Sequence, residues 1–242
     1  MRTFSTEFKT DYPNYRFGYC NFAERENNEN PTPIYASGFL PYSANLNEKR
    51  ELFYQARSLR IDLNNLGFSK SRRYEQRKFE ALNPSLHFHP IETIDANLLQ
   101  SIKCQSLQWI KQRFDPPYVN EARFDYLIAH PLLNTLATVS LNDSPIAHLL
   151  ICQHPRCLHY WFAFYNAEAF PQISLGKVIM GHFIQWAAQT QTPYIYLGTA
   201  YKPQSAYKYQ GITGFEFFDG SGWNRSKEEL KERHQTDLNQ IA

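Results

Sequence analysis

Glycine is scarce in this chain: 242 residues hold only 10. A phosphate-gripping loop built from clustered glycines is therefore hard to place. Cysteine is scarcer still. Cys20, Cys104, Cys152 and Cys157 are irregularly spaced in a long chain, which argues against a disulfide framework. Residues 1–12 lack the apolar run of a signal peptide. No stretch approaches the roughly 18 apolar residues of a membrane span. Charge of one sign is also in short supply: the net value is +2, so a basic surface, if present, must be local. Together these absences predict a cytoplasmic protein with no membrane contact. What is abundant is apolar material, 43% of the chain, enough for a sizeable core in one large domain or two small ones.

Along the chain, residues 1–33 read as polar and irregular, ending in a solvated loop from Glu24 to Pro33. Asn47 is placed to cap a helix beginning at Glu48, with Leu52, Phe53 and Ala56 as its stripe. Leu59 to Leu63 alternates as a strand. Ser69 or Ser71 then caps a basic helix reaching about Leu82. A helix from Asp95 to Phe114 stops at Pro116-Pro117. Strands follow over Leu133–Ser140 and Ile146–Cys152, joined by a turn at Asp143-Ser144-Pro145. A second turn at His154-Pro155-Arg156 leads to the strongly alternating Leu158–Tyr165. Ser174–Gln189 has helical spacing, Tyr194–Leu197 and Gly214–Phe218 read as strands, and Ser226–Asn239 as a polar helix or tail.

Two segments carry a family resemblance. The first is the run Arg57-Ser58-Leu59-Arg60-Ile61-Asp62-Leu63, followed by Phe68-Ser69-Lys70-Ser71-Arg72-Arg73 and Arg77-Lys78. The second runs from Phe164-Tyr165-Asn166 through Ser174-Leu175-Gly176 and Tyr196-Leu197-Gly198 to Ala206-Tyr207-Lys208 and Asp219-Gly220-Ser221-Gly222-Trp223. In order and rough spacing this set resembles the arginyl-tRNA–protein transferases and the bacterial aspartate/glutamate leucyltransferases. The resemblance implies an α/β fold with an acetyltransferase-like (GNAT) mixed sheet. A smaller N-terminal region over residues 1–95 would pack on a catalytic domain over 96–242. It also implies an aminoacyl-tRNA donor and a protein N-terminus as acceptor. The family's N-terminal cysteine cluster is missing here: only Cys20 falls on it, and its cysteine-rich run reads Leu52-Phe53-Tyr54-Gln55-Ala56. The expectation is therefore no metal and no cofactor.

In that reaction an amine attacks an ester carbonyl. A free α-amino group has a pKa of about 7.7–8.0, so catalysis is mainly positioning and oxyanion stabilisation. The resemblance nominates Tyr165, Tyr196, Gly198, Tyr207 and Lys208: strand-end carbonyls near Gly198 for the amine, and the tyrosines as proton or hydrogen-bond donors. Aromatic packing and a surface lysine are the plainer alternatives. For the tRNA it nominates Arg57, Arg60, Ser69, Lys70, Arg72, Arg73 and Arg77, a Ser/Arg helix start suited to phosphate. The alternative is a solvated basic face. Cys152, His154, Cys157 and His159 would share one side of a tight hairpin and suit zinc, but Pro155 cannot adopt the positive φ such loops favour, so a looser turn is expected. His87 and His89 share a strand face and are a weaker pair of the same kind. Two rivals remain. One is an acyl-CoA-dependent N-acyltransferase, although residues 171–177 lack the two-glycine pyrophosphate loop. The other is an inactive member kept as a binding module.

Overall fold

The computed structural model describes residues 1–11, 16–26 and 29–239; for residues 8–11, 16, 17 and 239 it describes the backbone alone. The chain is a mixed α/β fold built on two sheets. Strands β1 (Arg2–Asp11), β2 (Arg16–Glu24), β3 (Phe39–Pro41) and β4 (Leu52–Gln55) form an antiparallel sheet in the order β1-β2-β4-β3, with the short helix α1 (Thr32–Ala36) beside it.

The larger sheet has eight strands. They are β5 (Ser58–Asp62), β6 (Ser85–Pro90), β7 (Thr135–Leu141), β8 (Ser144–His154), β9 (Cys157–Tyr165), β10 (Tyr194–Thr199), β11 (Phe215–Phe218) and β12 (Trp223–Asn224). Their order is β12-β11-β5-β10-β9-β8-β7-β6. It therefore takes β5 and β6 from residues 1–95 and the rest from 96–242.

Only β9 and β10 run parallel. A parallel pair needs a crossover, and helix α5 (Leu175–Ala187) supplies it. Its buried residues include Val178, Ile179, Phe183 and Ile184, spaced to bury one helix face on the sheet. Helix α2 (Lys70–Glu80) packs beside α5, where Gln76 Nε2 donates to the Val178 carbonyl. Helices α3 (Ala96–Arg113) and α4 (Glu121–Ile128) contribute Ile102, Trp109, Ile110, Phe124 and Leu127 to a second cluster against Leu136, Leu150 and Phe164. The C-terminal helix α6 (Lys227–Asn239) adds Leu230 to the main core. Among the described residues no helix is long and apolar enough to cross a membrane.

The main departures from expectation lie in the N-terminal region. The described residues up to Glu24 are not irregular: β1 and β2 pair from Arg2↔Glu24 through Phe4↔Phe22, whose rings stack 5.6 Å apart. Of the expected loop from Glu24 to Pro33, Asn27 and Asn28 lie outside the described residues. The helix expected from Glu48 is strand β4 instead. Leu52, Phe53 and Ala56 fit a helical stripe, but Phe53 sits between Ala23 and Pro41 in the sheet, where its ring is fully buried. The first hairpin turns at Asn142-Asp143, both with positive φ (49° and 60°), rather than at Asp143–Pro145. Asn and Asp tolerate that conformation. The second hairpin is tight after all. His154 pairs with Cys157 across a two-residue turn in which neither Pro155 nor Arg156 has a positive φ, so the turn does without the backbone that proline forbids. A further strand, β12, follows the one expected to be last.

Candidate active site

The parallel ladder between β9 and β10 covers only Tyr194↔Cys157, Ile195↔Leu158 and Tyr196↔His159. Just beyond, both strands are disturbed. On β9, Leu150 faces Phe162 and Ile151 faces Tyr160, which leaves Trp161 as an extra residue. On β10 the register against β5 shifts between Tyr196 and Thr199, where Gly198 takes φ +78°. Bulges bend strands and end pairing. Two of them at one level part β9 from β10 and open a cleft of about 1490 Å³.

One wall of the cleft is the N-terminal sheet, through Tyr19, Phe22, Tyr42 and Tyr54. The opposite wall comes from β9, the start of α5, and the Pro203–Lys208 3-10 turn. The cations Arg113, Arg123 and Lys208 line it, together with Lys177, which is paired with Glu75 at 2.5 Å, and among the described residues no Asp or Glu lines it. The cleft is therefore suited to anionic groups and to charge developing on oxygen.

At the start of α5, the Tyr165 hydroxyl fills the space over Gly176: a Cβ there would lie 2.3 Å from the phenol oxygen. Glycine is needed at 176 for that close approach. The Arg113 guanidinium lies 4.1 Å from the Tyr165 ring centre. Burial, with Tyr165 close by, disfavours the phenolates of Tyr118 and Tyr207. The Tyr160 hydroxyl is buried without a hydrogen-bond partner. Burial, then Tyr165 and Tyr118, pushes Tyr207 up to about 12. Although 43% of its surface is exposed, it is a neutral proton donor at physiological pH on either count. Lys208 Nζ donates to the Thr199 carbonyl at 2.9 Å and lies 3.5 Å from where a Cβ on Gly198 would sit. Burial pulls its ammonium down to about 8.

Tyr165, Gly198, Tyr207 and Lys208 thus meet in one cleft. Tyr196 does not. It points to the opposite face of the sheet, 1% exposed, packed 4.9 Å from the Tyr35 ring.

The expected tRNA set divides by burial. Arg57 pairs with Asp237 at 2.7 Å and donates to the Ala200 carbonyl. Arg60 pairs with Glu216 at 2.6 Å, between the Tyr194 and Trp223 rings, each 3.9 Å away. Arg72, 2% exposed, donates to the carbonyls of Tyr207 and Lys177. These three are tied inside the protein. Ser69 caps α2 through the Arg72 N–H at 3.2 Å. Lys70, Arg73 and Arg77 form an exposed stripe at i, i+3 and i+7 with no carboxylate partner among the described residues.

The Cys/His hairpin has the register that a shared site requires, but its side chains are taken up in packing. His159 Nδ1 lies 3.1 Å from the Tyr35 hydroxyl, and Cys157 Sγ lies 3.7 Å from Thr32 Oγ1. Among the described residues no three His, Cys, Asp or Glu side chains are arranged to hold a metal ion. Sequence reasoning missed Arg113, Tyr118 and Tyr160. Arg113 falls inside the helix expected from Asp95 to Phe114, and nothing in its neighbourhood signalled the cleft.

Residues 68–209 match the acetyltransferase (GNAT) domain family. The chain belongs to that family. The GNAT match spans β9, α5, β10, Tyr207 and Lys208, and leaves the N-terminal wall outside. Curated proteins give no significant match. Among solved structures, L-PGS from Bacillus licheniformis is 15% identical, with a TM-score of 0.45 over 72% of this chain and 50% of that one. The C-terminal domain of a protein assigned as a lysylphosphatidylglycerol synthetase from Agrobacterium fabrum is 11% identical, with a TM-score of 0.44 over 74% and 55%. The GNAT chain thus spans about half the length of each.

Proposed function

We propose that this GNAT transferase moves an aminoacyl group from a charged tRNA to the N-terminal amine of an acceptor protein, in the cleft between β9 and β10. The observation that carries the proposal is the Tyr165–Gly176 contact. An acyl-CoA enzyme needs backbone N–H groups free over a glycine-marked helix start to hold a pyrophosphate. Here that space over Gly176 is taken by a phenol. The cleft also exceeds the roughly 300–1,000 Å³ of a single small-ligand pocket, as two converging substrate ends require.

The amine nitrogen bonds to the ester carbonyl carbon, and the carbon–oxygen ester bond breaks. The proton shed by the amine ends on the leaving 3′-terminal ribose hydroxyl. Lys208, near 8, matches the acidity of an α-amino group and is about one-tenth neutral at pH 7, able to take that proton. Tyr165 and Tyr207 supply a proton to the leaving oxygen. Arg113 and the α5 N-terminus favour the anionic intermediate. The RNA lies along Lys70, Arg73 and Arg77, the exposed basic stripe.

The second reading, acyl-CoA-dependent N-acylation, is favoured by the family match and by α5 starting at the cleft. The test pairs calorimetry with acetyl-CoA against transfer of a labelled amino acid from tRNA to peptides beginning with Asp, Glu, Lys or Arg. Micromolar acetyl-CoA binding with acetylation and no transfer from tRNA rejects the proposal. Silence in both assays favours a binding module.

A further inference from the structure

Tyr207 and Lys208 stand on a segment with little behind it. Residues 200–208 leave β10 and enter the Pro203–Lys208 3-10 turn. Gln204, Tyr207 and Lys208 face the cleft, while Pro203, Ala206 and Tyr209 face a second pocket of about 380 Å³ under α6. The far end of the turn is held, since Tyr209 enters the core and Arg72 donates to the Tyr207 carbonyl, but with space on both sides packing does not fix its exposed entry at Lys202. Its entry is also strained: Lys202 holds φ +60°, a conformation that a non-glycine residue rarely adopts.

Helix α6 supplies what packing does not. Asp237 accepts from the Lys202 N–H at 3.0 Å, at the strained residue itself. The same carboxylate grips Arg57 through both oxygens, at 2.7 and 3.2 Å, and Arg57 donates to the Ala200 carbonyl. One turn earlier on α6, His234, 4% exposed, lies 3.0 Å from the Ala200 carbonyl and 3.3 Å from Ser205 Oγ. A carbonyl only accepts, so His234 Nε2 carries the proton and donates. Ser205 Oγ in turn donates to the Lys202 carbonyl.

We infer that Asp237, Arg57 and His234 are positioning residues: α6 is a clamp that sets the 200–208 segment and with it Tyr207 and Lys208. Arg57, nominated from sequence for phosphate, serves the clamp instead. The inference rests on the proposed reading that Tyr207 and Lys208 act in transfer. It gives the C-terminal helix, which lies outside the family match, a part in positioning the groups that act.

The test compares His234→Leu, His234→Gln and Asp237→Asn with wild type in the full chain, with Leu238→Ala on the exposed side of α6 as control. Two readouts are taken: kcat and KM for transfer against pH, and the pH dependence of Lys208 acylation by acetic anhydride, followed by mass spectrometry. Expected for His234→Leu and Asp237→Asn is a tenfold or greater fall in kcat with KM within twofold. Lys208 titration should move up by a unit or more as the loosened turn hydrates the amine. His234→Gln, whose amide N–H reaches the same acceptors, should recover most of both. Unchanged kcat and an unchanged Lys208 titration in all three variants would overturn the clamp. If wild type transfers from no donor, the reading of the reaction fails, and the anhydride titration still decides the clamp.

Discussion

Three of the buried histidines, His130, His148 and His159, make acid stability a sharp test of the packing. Burial is the main cause of each shift: it pulls His130 down to about 4, and His148 and His159 to about 3, from an ordinary 6.5. All three are at most 5% exposed. His130 Nδ1 accepts from the Leu132 N–H, which a proton there would forbid. His148 sits between Thr138 Oγ1 and Gln105 Oε1, against the Trp109 ring. Their folded pKa values lie below the unfolded one, so the unfolded chain binds more protons. Stability is fully present above 6.5 and falls with pH until the folded values are reached. Between pH 7 and 5 each histidine removes close to 2 kcal/mol, about 5–6 for the three, against a typical total of 5–15. Carboxylates lose their contribution only at lower pH, so this window isolates the histidines. Urea unfolding at fixed ionic strength should show the loss directly. His130→Asn, which keeps an acceptor for Leu132 but does not titrate, should reduce it by close to 2 kcal/mol. A difference below about 1 kcal/mol between pH 7 and 5 in wild type would refute the reasoning.

Other perturbations read other parts of the structure. Gly176→Ala sets a methyl against the Tyr165 hydroxyl, so the phenol must swing away. Transfer should fall at least about tenfold with little change in unfolding midpoint, as expected when one positioned donor is lost; unchanged transfer would remove Tyr165 from the site. Charge reversal at Arg73 and Arg77 should weaken tRNA binding and flatten its salt dependence, measured by filter binding from 50 to 200 mM salt. Wild-type binding by that double variant would make the stripe a solvated face. Arg60→Ala leaves Glu216 buried with only Arg225, 2.8 Å away, to offset it. It should cost about 3 kcal/mol in urea unfolding, the lower end for a broken buried pair, and a neutral result would contradict the placement.

Legibility in the sequence followed local regularity. Helix α2 was readable from its Ser69 cap, α3 from Asp95, and α5 from the spacing of Leu175, Val178, Ile179 and Phe183. The β1–β2 hairpin was not, because Thr3, Ser5 and Glu7 give its strands too little apolar alternation. Strand β4 was misread because Leu52 and Phe53 suit either period, and only pairing with β2 and β3 decides. Four of the residues that line the cleft, Tyr165, Gly198, Tyr207 and Lys208, were nominated by their order along the chain. Arg113, the last residue of α3, and Tyr118, in the segment after it, reach the cleft only by tertiary packing. The sequence shows that Arg57, Arg60 and Arg72 are charged but not that they are tied within the fold; their partners Asp237, Glu216 and the Tyr207 carbonyl lie 135 to 180 residues away.

The central claim is amino-acid transfer from tRNA in the β9–β10 cleft, and one measurement reaches it directly. Wild-type protein is mixed with tRNA carrying an isotopically labelled amino acid and with a peptide bearing a free N-terminus, and the peptide is sequenced by mass spectrometry. The account predicts one added labelled residue, on the α-amine, lost in Lys208→Met and rising with pH through about 8 in wild type. Label remaining on the tRNA, with the same peptide acetylated when acetyl-CoA is supplied, would contradict it.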